Sequence, residues 1–295
     1  MCKKKTFEWY RINKGIKHRY KLKEISELAG ISKQALWKSR IKNAKQDKFI
    51  KSVVDQLNEI RKIHKVMGCR KMYYKEENQW PVGRDKVIEI ANANGFKMRK
   101  KRSIVRTTWS QAVEVYPNLI EGMQLNGPNQ VWQSDIFYFK AGQINDYGVT
   151  IEDVYTRILK ALHMSQSLAA RHTVIALQNA IKSTSNKEEI IGCIFHSDRG
   201  SQYISKELKE LIRESKMNPS MCLNPQENAY VERIQGTIKN EYLNEYEITS
   251  KNIMQMSNKI KFWYNEQRPH KSLGMLTPKN FENLIKNLTE KTGLK

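Results

Sequence analysis

The pattern of apolar residues changes from helical to strand-like at Gln130, and this change constrains the fold more than any other feature. The apolar run Val131–Phe139 comes first, a break at Asn145-Asp146 follows, and two further strand patterns span Tyr147–Val154 and Arg157–Met164. Because the connections between these strands are short, we expect an antiparallel meander of three strands.

The elements that follow predict a mixed sheet. A helix over Ala169–Thr184 leads to an apolar run at Ile190–Phe195, which suits a strand placed parallel to the first one. Helices are then predicted at Ser205–Ser215 and Glu227–Tyr246. This order indicates an α/β fold with a ribonuclease-H-like core, in which a mixed five-stranded sheet is flanked by helices.

Three acidic residues stand in three different predicted elements. Asp135 lies inside the first strand, Asp198 follows the fourth strand just before a turn, and Glu232 lies in the last of these helices. A carboxylate in or at the end of a strand is costly to bury unless a cation pairs with it. Oxygen ligands that converge from separate elements suit a pair of Mg²⁺ ions. The sequence therefore predicts that these three acids form one metal site.

The basic charge of the chain is concentrated in its first third. The formal net charge is +22, from 52 basic and 30 acidic side chains. Residues 1–110 contain 30 Lys and Arg against 10 Asp and Glu, whereas residues 111–295 contain 22 against 20. This asymmetry favours a nucleic-acid partner over a membrane surface or an acidic small substrate. The alternative is a solvated basic face that keeps the protein in solution.

The basic third is predicted to begin with a helix-turn-helix. In Ala29-Gly30-Ile31-Ser32, the glycine would close one helix and the serine would cap the next. The second helix would present four polar residues to DNA: Lys33, Gln34, Lys38 and Arg40. A short helical hairpin with a solvated face is the alternative interpretation.

A second helical region follows. An amphipathic pattern covers Lys48–Met67, whose apolar stripe is either internal core or a contact between subunits, and helices are predicted at Arg70–Glu77 and Asp85–Ala93. The basic stretch Gly95–Arg106 would lie along a phosphate backbone or serve as a solvated linker. The candidate DNA contacts in this region are Arg70, Lys71, Arg84, Lys97, Arg99, Lys100, Lys101 and Arg102.

These patterns predict five segments. We expect a helix-turn-helix module over 1–45, a second helical DNA-binding module over 46–106, a linker over 107–128, the catalytic core with a C-terminal helix over 129–285, and a polar tail over 286–295. The four cysteines are scattered without CxxC spacing, which argues against a zinc site or a disulfide framework. No apolar run approaches the span of a bilayer, so no membrane partner is expected.

Four segments in order resemble the DDE transposases with a retroviral-integrase-like core, and more narrowly the second-reading-frame product of a bacterial insertion sequence. These segments are Trp132–Asp135, His196–Tyr203, Asn228–Arg233 with Lys239–Glu241, and Trp263–Gly274 with Thr277-Pro278. The resemblance covers essentially the whole chain. It implies that Asp135, Asp198 and Glu232 are a catalytic triad that holds two Mg²⁺ or Mn²⁺ ions for DNA cleavage and strand transfer.

The sequence departs from this family at one place. Only 33 residues separate Asp198 from Glu232, slightly fewer than is usual in the family, and Glu227 stands where relatives commonly have Asp. Glu227 is therefore a rival to Glu232. Helical geometry favours Glu232, because it shares a face with Asn228, Gln235 and Lys239.

Other residues around the triad are candidates for roles in the site. His196, Arg199 and Lys239 would position phosphates, and ordinary packing or surface roles are the alternative. Arg268 and His270 follow a helix that ends near Tyr264, where they would either cap that helix or contact DNA. Asp153 also lies at a strand end, and we expect it to serve a turn or an ion pair.

The resemblance implies partners as well. We expect double-stranded DNA, both element ends and target, and a homo-oligomer that is at least a dimer on paired ends. An upstream-frame DNA-binding protein is a further candidate partner, and the expected location is the bacterial cytoplasm, at the nucleoid. The alternatives are an inactive DNA-binding regulator, which predicts a damaged triad, and a plain ribonuclease-H-like nuclease, which does not explain the basic helical modules.

Overall fold

The computed structural model describes residues 30–98, 116–141, 144–222 and 229–292, together with Lys23 and Glu27. The chain divides into two compact units, one of residues 1–60 and 80–96 and the other of residues 61–79 and 97–295. Eight residues named above lie outside the described residues: Ala29, Arg99, Lys100, Lys101, Arg102, Arg106, Glu227 and Asn228.

Three α-helices precede the sheet in the described part of the chain: α1 Lys33–Ile63, α2 Cys69–Lys75 and α3 Arg84–Ala93. The predicted turn before α1 is present, since Gly30 has a φ of 59° and Ser32 Oγ accepts a hydrogen bond from the Ala35 amide at 3.1 Å. A glycine in the left-handed region and a serine cap are the expected chemistry of such a turn. The helix-turn-helix as a whole stays a prediction.

The structure corrects the expected break between the two helical regions. Helix α1 is continuous for 31 residues and runs through position 45, where a boundary was expected, and it ends at Ile63, before the expected Met67. This stretch contains no Gly or Pro and is rich in Lys, Gln, Arg and Ala, which favour helix. Val53 and Leu57 are fully buried, so this part of the apolar stripe is internal core.

The second unit contains a five-stranded sheet in the order β3-β2-β1-β4-β5. Its strands are β1 Val131–Ala141, β2 Ile144–Asp153, β3 Leu159–Ser165, β4 Ile194–Ser197 and β5 Asn218–Met221. The pairs β1–β2 and β2–β3 are antiparallel, and the pairs β1–β4 and β4–β5 are parallel. The predicted meander, crossover and mixed five-stranded sheet of a ribonuclease-H-like core are therefore confirmed.

Helices cover both faces of this sheet. On one face, α4 Arg171–Lys182 and α5 Lys206–Glu214 pack over a core that includes Trp132, Ile151 and Phe195. On the other face, α6 Ala229–Ile238 and α7 Ile253–Phe262 contribute to a core that includes Phe137 and Leu159. Alternate residues of β1 enter the two cores, as the period of a β-strand requires.

Three details of the predicted elements are wrong. Residues 145 and 146 do not break the strand, because β2 already begins at Ile144. Strand β4 begins only at Ile194, since Lys187–Ile190 forms a 3₁₀ turn and Gly192 has a φ of 80°. Strand β5 occupies Asn218–Met221, where none of the predicted strands was placed. Pro219 is tolerated there because it lies in a strand at the edge of the sheet.

Phe137 and Gly148 face each other across β1 and β2. A Cβ atom on Gly148 would lie only 2.2 Å from Cζ of the Phe137 ring, so the ring occupies the space that a side chain would need. Glycine at this strand position allows the close approach of the aromatic ring.

The C-terminal part of the chain packs on the same unit. Helix α6 continues into a π-helical turn at Lys239–Leu243, α7 continues into a second one at Trp263–Gln267, and α8 spans Pro278–Thr292. Helix α8 extends beyond residue 285, where a polar tail was expected to begin. None of the helices in the described ranges is long and apolar enough to cross a membrane.

Candidate active site

The register of two parallel strands brings Asp135 and Asp198 to the same edge of the sheet. The last pair between β1 and β4 joins Ser134 to Ser197; Asp135 is the next residue of β1, and Asp198 is the residue directly after the end of β4. Because parallel strands end on the same side, both carboxylates lie where the β1–β4 ladder stops. The sequence prediction that these two acids meet is consistent with this register.

Helix α6 lies against Asp135 through a hydrogen bond. Gln235 Nε2 donates to Asp135 Oδ2 at 2.8 Å, and the Ile136 amide donates to Asp135 Oδ1 at 2.8 Å. Glu232 is exposed and precedes Gln235 by three residues, so both lie on one side of the helix. The expected polar face of this helix is therefore directed toward Asp135.

The turn after β4 holds Asp198. The Gly200 amide donates to Asp198 Oδ1 at 3.0 Å. A Cβ atom on Gly200 would lie 3.0 Å from both that oxygen and Gln202 Oε1, which is closer than most real contacts. Glycine at position 200 thus leaves room for the Asp198 carboxylate to accept a backbone hydrogen bond.

The charges of Asp198 and Glu232 act on Asp135. Burial is the largest cause that raises the pKa of Asp135, and the charges of Asp198 and Glu232 add to the rise. The hydrogen bonds from Ile136 and Gln235 oppose it, and the resulting pKa is about 7. Nearby carboxylates disfavour ionisation in this way. Burial also raises the pKa of Asp198, against the hydrogen bond from Gly200. Asp198 and Glu232 therefore both lie within electrostatic reach of Asp135, and the three acids are here called the carboxylate cluster.

In the part of the chain that the structure describes, none of these three acids forms an ion pair. Lys239 interacts electrostatically with Asp135. Burial lowers the pKa of Lys239, and the negative charge of Asp135 raises it. Its Nζ lies 5.2 Å from the centre of the Phe137 ring. No three Asp, Glu, His or Cys side chains among the described residues are placed to hold a metal ion in this conformation.

A buried hydroxyl pair next to the cluster was not predicted as part of the site. Tyr203 Oη and Ser134 Oγ are 2.9 Å apart, and Tyr203 is 2% exposed. Burial raises the pKa of Tyr203 well above its usual value, and the charges of Asp198 and Asp135 add to the rise. Tyr203 is the last residue of the segment His196–Tyr203, which resembles the transposase family. That resemblance is the sequence feature from which a role for Tyr203 in the site could have been predicted.

The predicted DNA contacts of the helical regions differ in their surroundings. The exposed residues are Gln34, Lys38, Arg40, Arg70 and Lys97, and the side chain of Lys33 lies outside the described residues. Arg84 is partly buried, and its Nε donates to Asp85 Oδ1 at 2.9 Å. An exposed cation is free to meet a phosphate, and a surface pair such as Arg84 with Asp85 is weak.

Two of the three residues expected to position phosphates bond to the chain itself. His196 is fully buried, and its Nδ1 lies 2.9 Å from Ser220 Oγ. Arg199 Nε donates to the carbonyl oxygen of Cys222 at 3.1 Å. We therefore assign His196 to packing between β4 and β5, and keep Arg199 and Lys239 as candidates.

Arg268 and His270 are buried, so we do not retain them as DNA contacts. The Arg268 guanidinium donates through Nε and Nη2 to the two carboxylate oxygens of Glu241, at 2.8 and 2.6 Å. His270 Nε2 lies 3.3 Å from Arg268 Nη1, and Lys71 Nζ lies 3.8 Å from Glu241. We call Arg268, Glu241, His270 and Lys71 the ion-pair cluster. Arg268 was predicted as a DNA contact, but its guanidinium is instead paired with the carboxylate of Glu241, 27 residues earlier in the chain.

The charges of the ion-pair cluster stabilise each other. Burial alone would lower the pKa of Arg268, but the hydrogen bonds and charge of Glu241 raise it. Burial would raise the pKa of Glu241, but Arg268 and Lys71 lower it. Burial, Arg268 and Lys71 together lower the pKa of His270 to about 2, so this imidazole is neutral.

Asp153 has the turn role that was expected. Its carboxylate accepts hydrogen bonds from Thr156 Oγ1 at 2.7 Å, from the Tyr155 amide at 3.2 Å and from the Asn129 amide at 3.3 Å. These bonds close the turn between β2 and β3 and connect it to Asn129, two residues before β1. Asp153 is therefore a structural acid, distinct from the carboxylate cluster.

The chain matches known proteins over both the core and its flanks. The family described as integrase core domain matches residues 126–224, and a second family of the same description matches residues 216–278. An insertion element IS600 31 kDa protein of Shigella sonnei is 33% identical over 211 residues, which cover 70% of this chain and 76% of the relative. Transposase InsF of insertion sequence IS3A from Escherichia coli is 28% identical over 215 residues, which cover 71% and 73%.

Among solved structures, the HTLV-2 integrase catalytic core domain in complex with magnesium is similar with a TM-score of 0.41 and 21% identity, covering 52% of this chain and 97% of that chain. The sequence relatives and the matched domains identify the family independently of that likeness. The chain belongs to the DDE transposases of bacterial insertion sequences, a family built on an integrase core domain.

Proposed function

We propose that this protein binds the ends of its insertion sequence and catalyses metal-dependent DNA cleavage and strand transfer, with Asp135, Asp198 and Glu232 as the catalytic acids. One observation carries the proposal. The charge of Asp198, directly after one strand, and the charge of Glu232, on a helix, both raise the pKa of Asp135 in the neighbouring strand, and none of the three acids is paired with a cation in the described part of the chain. Such an arrangement is unfavourable for folding alone and is suited to binding cations.

The donor set fits two Mg²⁺ or Mn²⁺ ions. All three side chains offer hard oxygen ligands, and the raised pKa of Asp135 shows that added positive charge would be stabilising there. When bound, two such ions supply electrostatic stabilisation to the attacking and leaving oxygens of a phosphodiester during in-line displacement. The side chains must move closer together to complete this set, and DNA binding is the step that we expect to bring them together.

The residues around the acids have separate tasks in this proposal. Gln235 and the Ile136 amide each donate a hydrogen bond to one oxygen of Asp135, which fixes the orientation of the carboxylate and leaves a lone pair on each oxygen for a cation. The Gly200 amide does the same for Asp198. Lys239, close enough to sense the Asp135 charge, is placed to contact a phosphate of the bound strand. Orientation by fixed hydrogen bonds is the main contribution that a protein makes to such a site.

The first third of the chain supplies DNA binding in this proposal. Its net charge attracts the phosphate backbone, and the exposed Gln34, Lys38 and Arg40 of α1 follow directly after the glycine turn and the serine cap. Each active site handles one strand at a time, so joining two ends requires at least a dimer on paired ends. An upstream-frame DNA-binding protein would complete the assembly, which would act on the bacterial nucleoid in the cytoplasm.

The proposal is tested by incubating the full chain with labelled duplexes taken from the ends of its own element, with Mg²⁺, and mapping the products. We expect a new 3′ end at the element boundary and a joined product. A chelator should remove both products without unfolding the protein. Cleavage without joining, at sites unrelated to the element ends, would instead indicate a plain nuclease, and specific binding without any cleavage would indicate a regulator.

A further inference from the structure

The β1–β2 hairpin extends past the rest of the sheet on one side. Strand β1 continues to Ala141, whereas its parallel pairing with β4 stops at Ser134. Beyond this point, Phe137 and Phe139 of β1 lie in the core beneath α6 and α7. The opposite face of the same stretch carries Tyr138, which is 47% exposed. The hairpin therefore has one buried face and one face open to solvent.

An aromatic pair occupies this open face. Tyr138 and Tyr147 are direct cross-strand partners, and their ring centroids lie 5.2 Å apart at an interplanar angle of 61°. Neither hydroxyl forms a hydrogen bond with any residue that the structure describes. Lys140 is exposed and, two residues beyond Tyr138 on the same strand, points to the same face. We call Tyr138, Tyr147 and Lys140 the tyrosine platform.

The residues on this face are unusual for a surface that is exposed to solvent. The solvent side of an antiparallel pair normally carries polar residues, and here it presents two aromatic rings beside an ammonium group. A cross-strand aromatic pair stabilises a hairpin, but this role does not require one ring to be half exposed. Aromatic rings next to a cation on a rigid strand are the features by which proteins hold single-stranded nucleic acid.

We propose that the tyrosine platform stacks an unpaired base of the DNA strand that is bound at the carboxylate cluster, with Lys140 contacting its backbone. This inference rests on the proposed function and adds a contact that discriminates unpaired from paired DNA. Stacking inside a duplex covers both faces of each base, so only a base released from the stack can lie against a tyrosine ring.

Tyr138 is three residues beyond Asp135 on the same strand, roughly 10 Å along it, and this odd spacing directs the two side chains to opposite faces of the hairpin. Asp135 faces Gln235 on the side of α6, and Tyr138 lies exposed on the other side. The edge of β1 past Ser134 carries no β4 partner. In this proposal, a DNA strand whose phosphodiester lies at Asp135 passes around that edge, and a base about three nucleotides away lies on Tyr138.

The test compares the binding of the full chain to three DNAs of the same arbitrary duplex sequence, measured by fluorescence anisotropy in the presence of a chelator. One duplex is blunt, one carries a three-nucleotide single-stranded extension, and one carries the same extension with abasic sites. We expect the wild-type protein to prefer the normal extension by about tenfold over the other two. The abasic extension keeps the phosphates and removes only the base faces.

The matched variants are Tyr138→Thr, which suits a strand but cannot stack, and Tyr138→Phe, which keeps the ring. Tyr138→Thr should lose the tenfold preference and keep its affinity for blunt duplex, and Tyr138→Phe should retain both. Phe262→Thr removes another aromatic residue, 52% exposed on α7, and should change nothing. If Tyr138→Thr unfolds, as circular dichroism would show, Tyr147→Thr serves in its place.

Three results would overturn the inference. These are an unchanged preference in folded Tyr138→Thr, equal binding of the abasic and normal extensions, and a loss of dimers in Tyr138→Thr by light scattering without DNA, which would assign the platform to a second copy of the chain. The proposed function is tested separately, by the assay that detects joined DNA products. Failure of joining with the preference intact would reject catalysis alone, and the reverse would reject the platform alone.

Discussion

Two groups of charged residues in the catalytic unit differ in how their charges are balanced. The ion-pair cluster surrounds the buried Glu241 with the bidentate Arg268 and with Lys71. The carboxylate cluster places Asp135 between two other acids without an ion pair in the described residues. The pKa of Glu241 is consequently lowered, whereas the pKa of Asp135 is raised to about 7.

This difference separates a structural cluster from a site. A buried pair with good geometry needs nothing from outside, and its loss is felt in stability. Like charges that remain together in a folded protein are unfavourable in themselves, and a bound cation would offset their repulsion. By sequence alone, Arg268 and His270 had been candidates for DNA contact, and the balance of charge around them now argues for a role in the fold.

The largest expected effect is on catalysis. Asp135→Asn, Asp198→Asn and Glu232→Gln should each reduce strand transfer by a factor of about a thousand or more, equivalent to roughly 4 kcal/mol. End binding should remain, because in the proposed function these acids hold metal and do not contact DNA. Single-turnover assays with labelled ends measure the first quantity and anisotropy measures the second. The control is Glu210→Gln, which changes an exposed acid on α5, and strand transfer by Asp135→Asn at the wild-type rate would remove Asp135 from the mechanism.

The next effect concerns the ion-pair cluster. Arg268→Met should lower the free energy of unfolding by about 3–5 kcal/mol, because it leaves the Glu241 carboxylate buried without its partner. Adding Glu241→Gln to Arg268→Met should restore a large part of that loss. Urea denaturation followed by circular dichroism measures both variants.

A surface pair provides the control for this comparison. Arg213 lies 3.7 Å from Glu210 with 76% of its side chain exposed, so Arg213→Met should change stability by less than about 1 kcal/mol. If Arg268→Met and Arg213→Met had equal effects, the distinction between a structural cluster and a surface pair would fail.

Glu152 is a further buried acid, and its neighbours balance its charge only in part. Glu152 is 2% exposed, and Oε2 has no hydrogen-bond partner among the described residues. Burial raises its pKa from 4.5 to about 8, the charge of Arg157 lowers it, and Asp153 raises it. Its contribution to stability should be fully present below pH 4.5 and decline as pH rises toward 8, because the folded state holds the proton more tightly than the unfolded state.

Glu152→Gln should therefore become more stable relative to the wild type as pH rises from 5 to 8, by roughly 2–4 kcal/mol over that range. Urea denaturation of both proteins at several pH values gives the difference. A constant difference across the range would show that Glu152 does not change its ionisation on folding, and only the slope with pH bears on the prediction.

The smallest expected effect is the stabilisation by metal. Mg²⁺ or Mn²⁺ at ten times its dissociation constant should stabilise the folded wild-type protein by about 1.4 kcal/mol. Asp135→Asn should lose most of this gain, whereas Arg213→Met should keep it. Thermal unfolding at increasing metal concentration measures the gain, and an equal gain in Asp135→Asn and the wild type would place the metal elsewhere.

Much of the core and of the candidate site could be predicted because the signals are local. The strand pattern around Asp135 and the strand-to-turn transition at Asp198 place both acids at strand positions that a parallel ladder brings together. The helical spacing of Glu232, Gln235 and Lys239 gives one polar face, and Gln235 does contact Asp135. Period and register alone support these inferences.

The predictions that failed concern residues whose contacts are distant in sequence, or segments whose sequence pattern does not distinguish one structure from another. Whether Arg268 meets DNA or protein depends on Glu241, which a π-helical turn presents 27 residues earlier in the chain. The separation of two helices near residue 45 failed because polar residues with high helix propensity continue a helix as readily as apolar ones. Strand β5 is four residues long and includes a proline, so its pattern is too short to distinguish from a loop.

The contact between Phe137 and Gly148 restricts which substitutions the β1–β2 hairpin can accept during evolution. With a Cβ atom at position 148 only 2.2 Å from the ring, a single substitution of Gly148 must displace Phe137 from the core. A smaller residue at position 137 would leave a cavity while Gly148 is retained. The two positions are therefore epistatic, and exchange of the hairpin between relatives should succeed only when both residues are transferred together.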